Sequence, residues 1–333
     1  MSLQSLTPNI STNTRNIKMI IREFKYTDLN ALVEIAKVSF ADEYAANGQS
    51  PTSYINQIKT VTRGRMIPFR IISALAGIKW RLFVAEVDDQ VVGCGSYLGR
   101  QQIELANLMV HPQYRRQGIG QALLKTRLQY IHKEGHAYAK TTVLASNEAS
   151  LSNLRKQGFE VFDQFKIFET DIPLQYFSSS MSTEIYSRPV QQTDLSVFME
   201  LERQISNPVW LHIQGTAAAN YFPSLWERLL QKFAGSHRWV HIFMKNSQVI
   251  GFLSINTSND QTTGAIFRPV ISQENIAYLP QMLHEASIWL RDRKKKKIRI
   301  GVPLDREYLV KELKNSGWEE TIAWVQLVKW LNN

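Results

Sequence analysis

The chain of 333 residues contains a single cysteine, Cys94, so no intramolecular disulfide can form and an oxidising compartment is not indicated. Cys94 sits in the strand-like run Val91-Val92-Gly93-Cys94-Gly95, which suits a small core residue better than a nucleophile. No stretch of about 18 consecutive apolar residues occurs, which excludes an ordinary membrane-spanning helix. The nearest candidate, residues 66–78, is short and broken by Arg70. Residues 1–18 are rich in Ser, Thr and Asn and lack the apolar middle of a signal peptide. They read as a disordered tail, and a cytoplasmic location is expected. The histidines show no metal-ligand spacing. His132 and His136 share a helical interval, but no cysteine or carboxylate stands at ligand spacing beside them, so no metal is expected. The phosphate-loop pattern G-x-x-x-x-G-K-[ST] is absent, and Gly118-Ile119-Gly120-Gln121-Ala122-Leu123 lacks the last glycine of a dinucleotide fingerprint.

Acidic residues are fewer than basic ones, and the net charge is +10. Residues 291–299, RDRKKKKIR, hold seven positive side chains and one negative, which is +6 of that excess. Cations at a helix end followed by a turn explain such a run, since they complement the helix dipole. The alternative is a patch for an anionic partner such as nucleic acid. The run has no interleaved aromatics for base stacking and no accompanying nucleic-acid motif, so nucleic acid is not an expected partner.

The length allows two domains of ordinary size, and 44% apolar with 20% charged residues is a globular composition. The chain also repeats itself. Arg22-x-x-x-x-Thr27-Asp28-Leu29 returns as Arg188-x-x-x-x-Thr193-Asp194-Leu195 after 166 residues. Gln90-Val91-Val92-Gly93 returns as Gln248-Val249-Ile250-Gly251 after 158, and Gly158-Phe159 as Gly317-Trp318 after 159. Three matches in one order at nearly one spacing argue for a duplication. The expected organisation is a tail over 1–18, a first domain over 19–173, a serine-rich linker over 174–183 and a second domain over 184–333. The first half reads strand (Met19 to Phe24), helix (Asp28 to Phe40, Thr27 as cap), an insert to residue 79, a hairpin around Asp88-Asp89, strand (Ile103 to Val110), helix (Gly120 to Glu134), strand (Thr141 to Ser146), a short helix ending at Gly158, and two closing strands through Phe162 and Ile167.

The segment VHPQYRRQGIGQALL, residues 110–124, joins the strand Ile103–Val110 to the amphipathic helix. The first amides of a helix have no partner within it, and the aligned peptide dipoles place partial positive charge there, so such an end binds anions and phosphates above all. Glycines admit a ligand to the backbone, Arg115 and Arg116 add formal charge, and the turn reads as a pyrophosphate cradle.

Arg115-x-x-Gly118-x-Gly120, set in Val110-His111-Pro112, Tyr114 to Gly120 and Leu123-Leu124, resembles the coenzyme A loop of the GNAT superfamily of N-acetyltransferases. The resemblance follows the first half along about 155 residues. It implies an α+β (α/β) architecture of two tandem GNAT folds, each a mixed, mostly antiparallel sheet flanked by helices. It also implies acetyl-CoA as cosubstrate and an unidentified amine acceptor as second partner. Arg115, Arg116, Gln117, Gly118, Ile119 and Gly120 would cradle the pyrophosphate. The backbone of Leu108, Met109 and Val110, where such proteins splay two strands, would pair with the pantetheine arm, and Asn147 would contact that arm as well as cap a helix. The second half has no glycine between Gly264 and Gly301, and SQENIAYLPQ replaces YRRQGIGQAL. It reads as a GNAT-like domain that has lost coenzyme binding.

The implied activity is transfer of an acetyl group to a primary amine by direct attack in a ternary complex. Glu104, eleven residues before Arg115, is the candidate base. Relatives of the histone-acetyltransferase type carry a glutamate at that spacing, and others carry it where this chain has Ala106. A surface glutamate in QQIEL is the competing reading. The family's N-x-x-A-x-x-x-Y-x-x-x-G-F is matched here by Asn147, Gly158 and Phe159, but Leu154 stands at the position of the tyrosine acid. That departure leaves a coenzyme A-binding sensor or scaffold as an alternative, and a transferase of a longer acyl group as another. Residues 54–79, with Arg63, Arg65 and Arg70, are the insert where such proteins build the acceptor side. A solvated face serves those arginines equally well.

Overall fold

The arginine and aspartate of the repeated motif form the same device twice. Arg22 donates to both oxygens of Asp28 (2.8 and 2.9 Å), and Asp28 also accepts the Lys25 amide at 2.7 Å. Arg188 donates to both oxygens of Asp194 (2.8 and 2.7 Å), which accepts the Gln191 amide at 2.7 Å. Each aspartate closes a one-turn 3-10 helix and ties it to the preceding strand. Asp28, not Thr27, is therefore the side chain that caps this turn, because its carboxylate takes an amide and a guanidinium together. The computed structural model describes residues 19–39, 79–100, 102–172, 185–223, 235–259 and 261–331. The expected tail, the linker 174–183 and the insert up to residue 78 lie outside the described residues.

The chain forms two compact units, residues 1–139 with 330–333, and residues 140–329. The first contains β1 (Met19–Glu23), α1 (Leu29–Ser39), β2 (Lys79–Val87), β3 (Gln90–Gly99), β4 (Ile103–Val110) and α2 (Ile119–Lys133), and β5 (Tyr138–Leu144) begins in it. β1 to β4 pair in sequence order, all antiparallel. Asp88 and Asp89 make the β2–β3 turn with φ of 47° and 64°, the left-handed pair of a type I′ hairpin. Strand side chains alternate between faces, and the two helices divide them. Leu32, Ile35 and Ala36 of α1 pack with Val84, Cys94 and Met109. On the other face α2 brings Tyr130 to 4.8 Å from the Phe83 ring, and Leu123 against the backbone of Gly93.

The second unit contains α3 (Glu148–Lys156), β6 (Glu160–Asp171), β7 (Ile185–Pro189), α4 (Leu195–Ile205), α5 (Pro208–Gln214), α6 (Ala218–Tyr221), β8 (Ser236–Lys245) and β9 (Gln248–Ser258). It continues with β10 (Thr263–Phe267), β11 (Val270–Ile271), α7 (Leu279–Arg291), β12 (Lys297–Pro303), α8 (Glu307–Asn315) and β13 (Glu319–Trp330). Its sheet runs β13-β6-β12-β10-β9-β8-β7, with β11 on β9. β10 and β12 are parallel, and the other described pairs are antiparallel. α7 and α8 cover one face through Met282, Leu283, Leu309 and Leu313. On the other, Phe198 of α4 and Tyr221 of α6 pack edgewise on Phe252.

Two closing strands through Phe162 and Ile167 are not found; Glu160–Asp171 is one strand. Asp163, in the middle of it, is buried and ion-paired to Arg268 at 2.5 Å, so a charged residue serves the core and the strand continues through it. Part of the basic run is engaged within this unit. Buried Lys295 donates to the carbonyls of Ser258 and Gln261, each at 2.7 Å, Arg293 lies over the Trp289 ring at 4.0 Å, and Lys297 and Arg299 share Glu169. Among the described residues no helix is long and apolar enough to cross a membrane.

The hydrogen bonds from Arg188, ahead of the opposing effect of burial, hold the Asp194 carboxyl below the usual carboxylate range. A depressed folded-state pKa contributes stability above the unfolded value of about 3.9, and that contribution is lost as pH falls through the lower folded value. Asp194→Asn is therefore expected to cost about 1–2 kcal/mol at pH 7, discounted for the part-exposed Arg188. Denaturant unfolding over a pH series should show the deficit closing only below about pH 4; a deficit independent of pH would mean the carboxylate charge contributes nothing.

Candidate active site

β4 carries one residue more than its partner. Cys94 faces Met109 and Ser96 faces Ala106, so Gly95 alone lies opposite Asn107 and Leu108. This is a β-bulge, and Asn107 takes the left-handed φ of 53° that it needs. Asn107 donates to the Ser96 hydroxyl at 3.1 Å, and that hydroxyl donates to the Ala106 carbonyl at 3.2 Å. Leu108 lies in the bulge, Met109 is buried against α1, and the Val110 carbonyl accepts from Arg115 Nε at 3.2 Å and Ser39 Oγ at 3.4 Å.

The turn that follows is pinned at both ends and open between them. His111 N donates to the Val92 carbonyl at 2.8 Å, a 3-10 turn covers Pro112–Tyr114, and Ile119 is buried at the start of α2. Arg115, Arg116, Gln117 and Gly118 are exposed. Arg116 and Gly118 have φ of 61° and 79°, and such left-handed residues turn successive amides toward one point. Ala122 N is the first amide returned to the helix, at 3.0 Å from the Gly118 carbonyl. The amides before it, including Gly120, point out of the helix end. A Cβ added at Gly118 would meet no protein atom within 4 Å, so the space before the turn is open and the glycine is required by φ alone. The residues fit a pyrophosphate.

Glu104 lies on β4 opposite Leu98, two residues from Ala106. Alternation puts both on the sheet face covered by α1, on the strand that leads to the bulge. Cys94 is fully buried, burial pushes its thiol up to about 12, and Sγ donates to the Asn107 carbonyl at 3.6 Å, so it is a core residue. Asn147 and Leu154 belong to the second unit. Asn147 caps α3 by accepting Ser150 N at 3.1 Å, and Leu154 is buried on that helix. Among the described residues no three His, Cys, Asp or Glu side chains gather as a metal site.

Arg127 was not legible as a site residue. It occupies the apolar stripe of α2 between Leu123 and Ile131 and is 1% exposed. Nη1 donates to the carbonyls of Ser96 (3.0 Å) and Ala106 (3.2 Å), the residue pair beside the bulge, and Nε donates to Leu123 O at 3.2 Å. Gly95 makes the slot, since a Cβ there would lie 3.0 Å from Arg127 Cζ and Nε. A charged residue at a stripe position, four residues after one core leucine, is the signal that could have pointed to it.

The second unit keeps the bulge and fills the place in front of it. Ile255 faces Ile266 and Phe252 faces Val270, which leaves two residues of β9 opposite three, with Arg268 at φ 53°. The Arg268 guanidinium is 1% exposed, bonded to Asp163 and stacked 3.8 Å over the Trp210 ring, and its carbonyl accepts from Tyr221 at 3.2 Å. Its long helix, α7, is entered through the 3-10 helix Gln273–Tyr278 with a proline in the first turn, and no positive φ occurs in that stretch.

Residues 62–159 match the Acetyltransferase (GNAT) family. Two solved structures align over nearly the whole chain. A tandem GNAT protein from the clavulanic acid biosynthesis pathway, 11% identical, is covered over 99% of its length by 95% of this chain with a TM-score of 0.60. A GCN5-related N-acetyltransferase from Sphaerobacter thermophilus, 13% identical, is covered over 96% by 95% of this chain with a TM-score of 0.62. At those identities the likeness speaks for the fold, and the family match covers the cradle and its strand. The chain has the tandem fold of these GNAT proteins, and the match to the GNAT family model lies in its N-terminal half.

Proposed function

We propose that this protein transfers an acetyl group from acetyl-CoA to a primary amine, using one site built on β4 and the N-terminus of α2. The observation that carries the reading is the open nest at Arg116–Gly118, on a helix end directly after a bulged strand. Arg115 to Gly120 hold the pyrophosphate, and the backbone of Leu108 to Val110 lies along the pantetheine arm. The amine nitrogen attacks the thioester carbon, the C–N bond forms, the C–S bond breaks and the thiolate leaves. The attacking amine must be neutral, and at pH 7 deprotonating an alkyl ammonium of pKa about 10.4 costs roughly 4–5 kcal/mol. Glu104 takes that proton.

Leu154 in a buried position favours a second reading, coenzyme binding without transfer, because no phenol stands there to protonate the thiolate. A thiol of pKa about 8.5 is still a tolerable leaving group. Incubation with acetyl-CoA and a panel of amines, following free thiol, separates the two readings. If transfer occurs, Glu104→Gln is expected to lower turnover about a hundredfold with coenzyme affinity intact. The loss should shrink at high pH, where free amine is abundant; an unchanged rate at pH 7 would make Glu104 a surface residue.

Gly118→Val should abolish coenzyme A binding, since a β-branched residue resists φ near 79° and its side chain enters the open phosphate path. Normal calorimetric binding by this variant would remove the cradle assignment. The same titration of the wild type should give one site per chain, because Arg268 and Trp210 fill the corresponding place in the second unit. Two sites of similar affinity would show that this filling does not exclude the coenzyme.

A further inference from the structure

We infer that Arg127 is a positioning residue for the thioester end of the coenzyme, holding the bulged segment of β4 from behind. The inference rests on the coenzyme reading above. Arg127 is a buried cation, and among the described residues its hydrogen bonds all go to carbonyl oxygens and no carboxylate pairs with it. Burial pushes its guanidinium down to about 10, so it remains charged at neutral pH. A buried charge without a counter-charge is costly, and an apolar side chain would cost less.

The chain itself supplies that apolar alternative. Gly93 and Gly251 are equivalent, since a Cβ on either would lie 2.8 Å from the carbonyl of Met109 or Val270. Their nearest helix contacts are Leu123 and Met282. Two residues further along the strands Gly95 corresponds to Leu253, and one helical turn further Arg127 corresponds to Ala286. Leu253 and Ala286 are fully buried in one apolar cluster. On the helix side the second unit therefore uses a large strand residue and a small helix residue, and its buried arginines lie elsewhere: Arg268 is in the bulge itself, paired to Asp163, and Arg306 donates to the Pro269 carbonyl at 2.8 Å. On the helix side the first unit does the reverse, and only the first unit has the cradle. An arginine on the long helix is not needed to make a bulge fold; what Arg127 adds is a fixed positive charge and two directed hydrogen bonds from behind the strand that meets the pantetheine arm. Such a charge stabilises negative charge developing on the thioester oxygen without reorganising.

The test transplants the second unit's solution as the pair Gly95→Leu with Arg127→Ala, and adds Arg127→Lys as the charge-keeping variant. Calorimetry compares acetyl-CoA with 3′-phospho-ADP, the fragment that lacks pantetheine and thioester. The fragment should bind the transplanted protein within twofold of wild type, because residues 115–120 are untouched. The advantage of acetyl-CoA over the fragment should fall at least fivefold, turnover at saturating acetyl-CoA should fall at least tenfold, and Arg127→Lys should keep most of both. An unchanged advantage would overturn the inference, and so would fragment and acetyl-CoA affinities falling in parallel, which marks general loosening. If the transplanted pair does not fold, Arg127→Lys decides alone: loss of the fragment together with acetyl-CoA makes Arg127 a framework residue, and retention of both with turnover near wild type supports the charge. A wild type that binds neither compound overturns the coenzyme reading itself, and this inference with it.

Discussion

An antiparallel pair with one residue too many on one strand cannot keep every main-chain group in its ladder. The surplus residue at Asn107–Leu108 is the constraint on which the first unit turns. It bends β4, requires a left-handed Asn107, and takes the carbonyls of Ser96 and Ala106 to the Arg127 guanidinium. It also reverses the alternation, so that Glu104 and Ala106 before the bulge share a face with Met109 after it. The turn at 111–118 then starts from a strand whose direction is already set, and the His111 amide fastens it to β3.

The two units show which parts of this arrangement belong to the fold and which to the site. The Arg–Asp clamp, the left-handed hairpin turn (Asp88-Asp89 and Asn246-Ser247), the strand glycines Gly93 and Gly251 and the bulge occur in both. These are solutions to backbone problems, and they recur because the backbone recurs. The open nest and the helix-borne Arg127 occur in the first unit, and a buried arginine stacked on a tryptophan occupies the bulge of the second. Sequence spacing detected the shared features as a repeat, although each match was only two to four residues long.

What was legible followed from local rules. Glycines at 118 and 120 after an apolar strand announced the turn, paired aspartates announced the hairpin, and periodicity announced α2. What was not legible depended on distant partners. One strand was read as two around Phe162 and Ile167, because the partner that lets charged Asp163 lie inside it, Arg268, is 105 residues away. Arg127 looked like an ordinary polar residue of a helix, because the carbonyls it serves lie on two other strands. Thr27 looked like a cap, and the neighbouring aspartate won because its carboxylate satisfies a guanidinium as well as an amide.

The Arg268–Asp163 pair also bears on what it would take to open the second bulge. Removing Arg268 would clear the space before the second bulge, but it would strand a buried carboxylate on β6, a change that typically costs about 3–5 kcal/mol. That is a large part of the margin by which a domain stays folded. Removing Asp163 first would leave the arginine under Trp210 without its partner, at a similar cost. Clearing that space therefore takes at least two coordinated substitutions, because either single step leaves a buried charge without its partner.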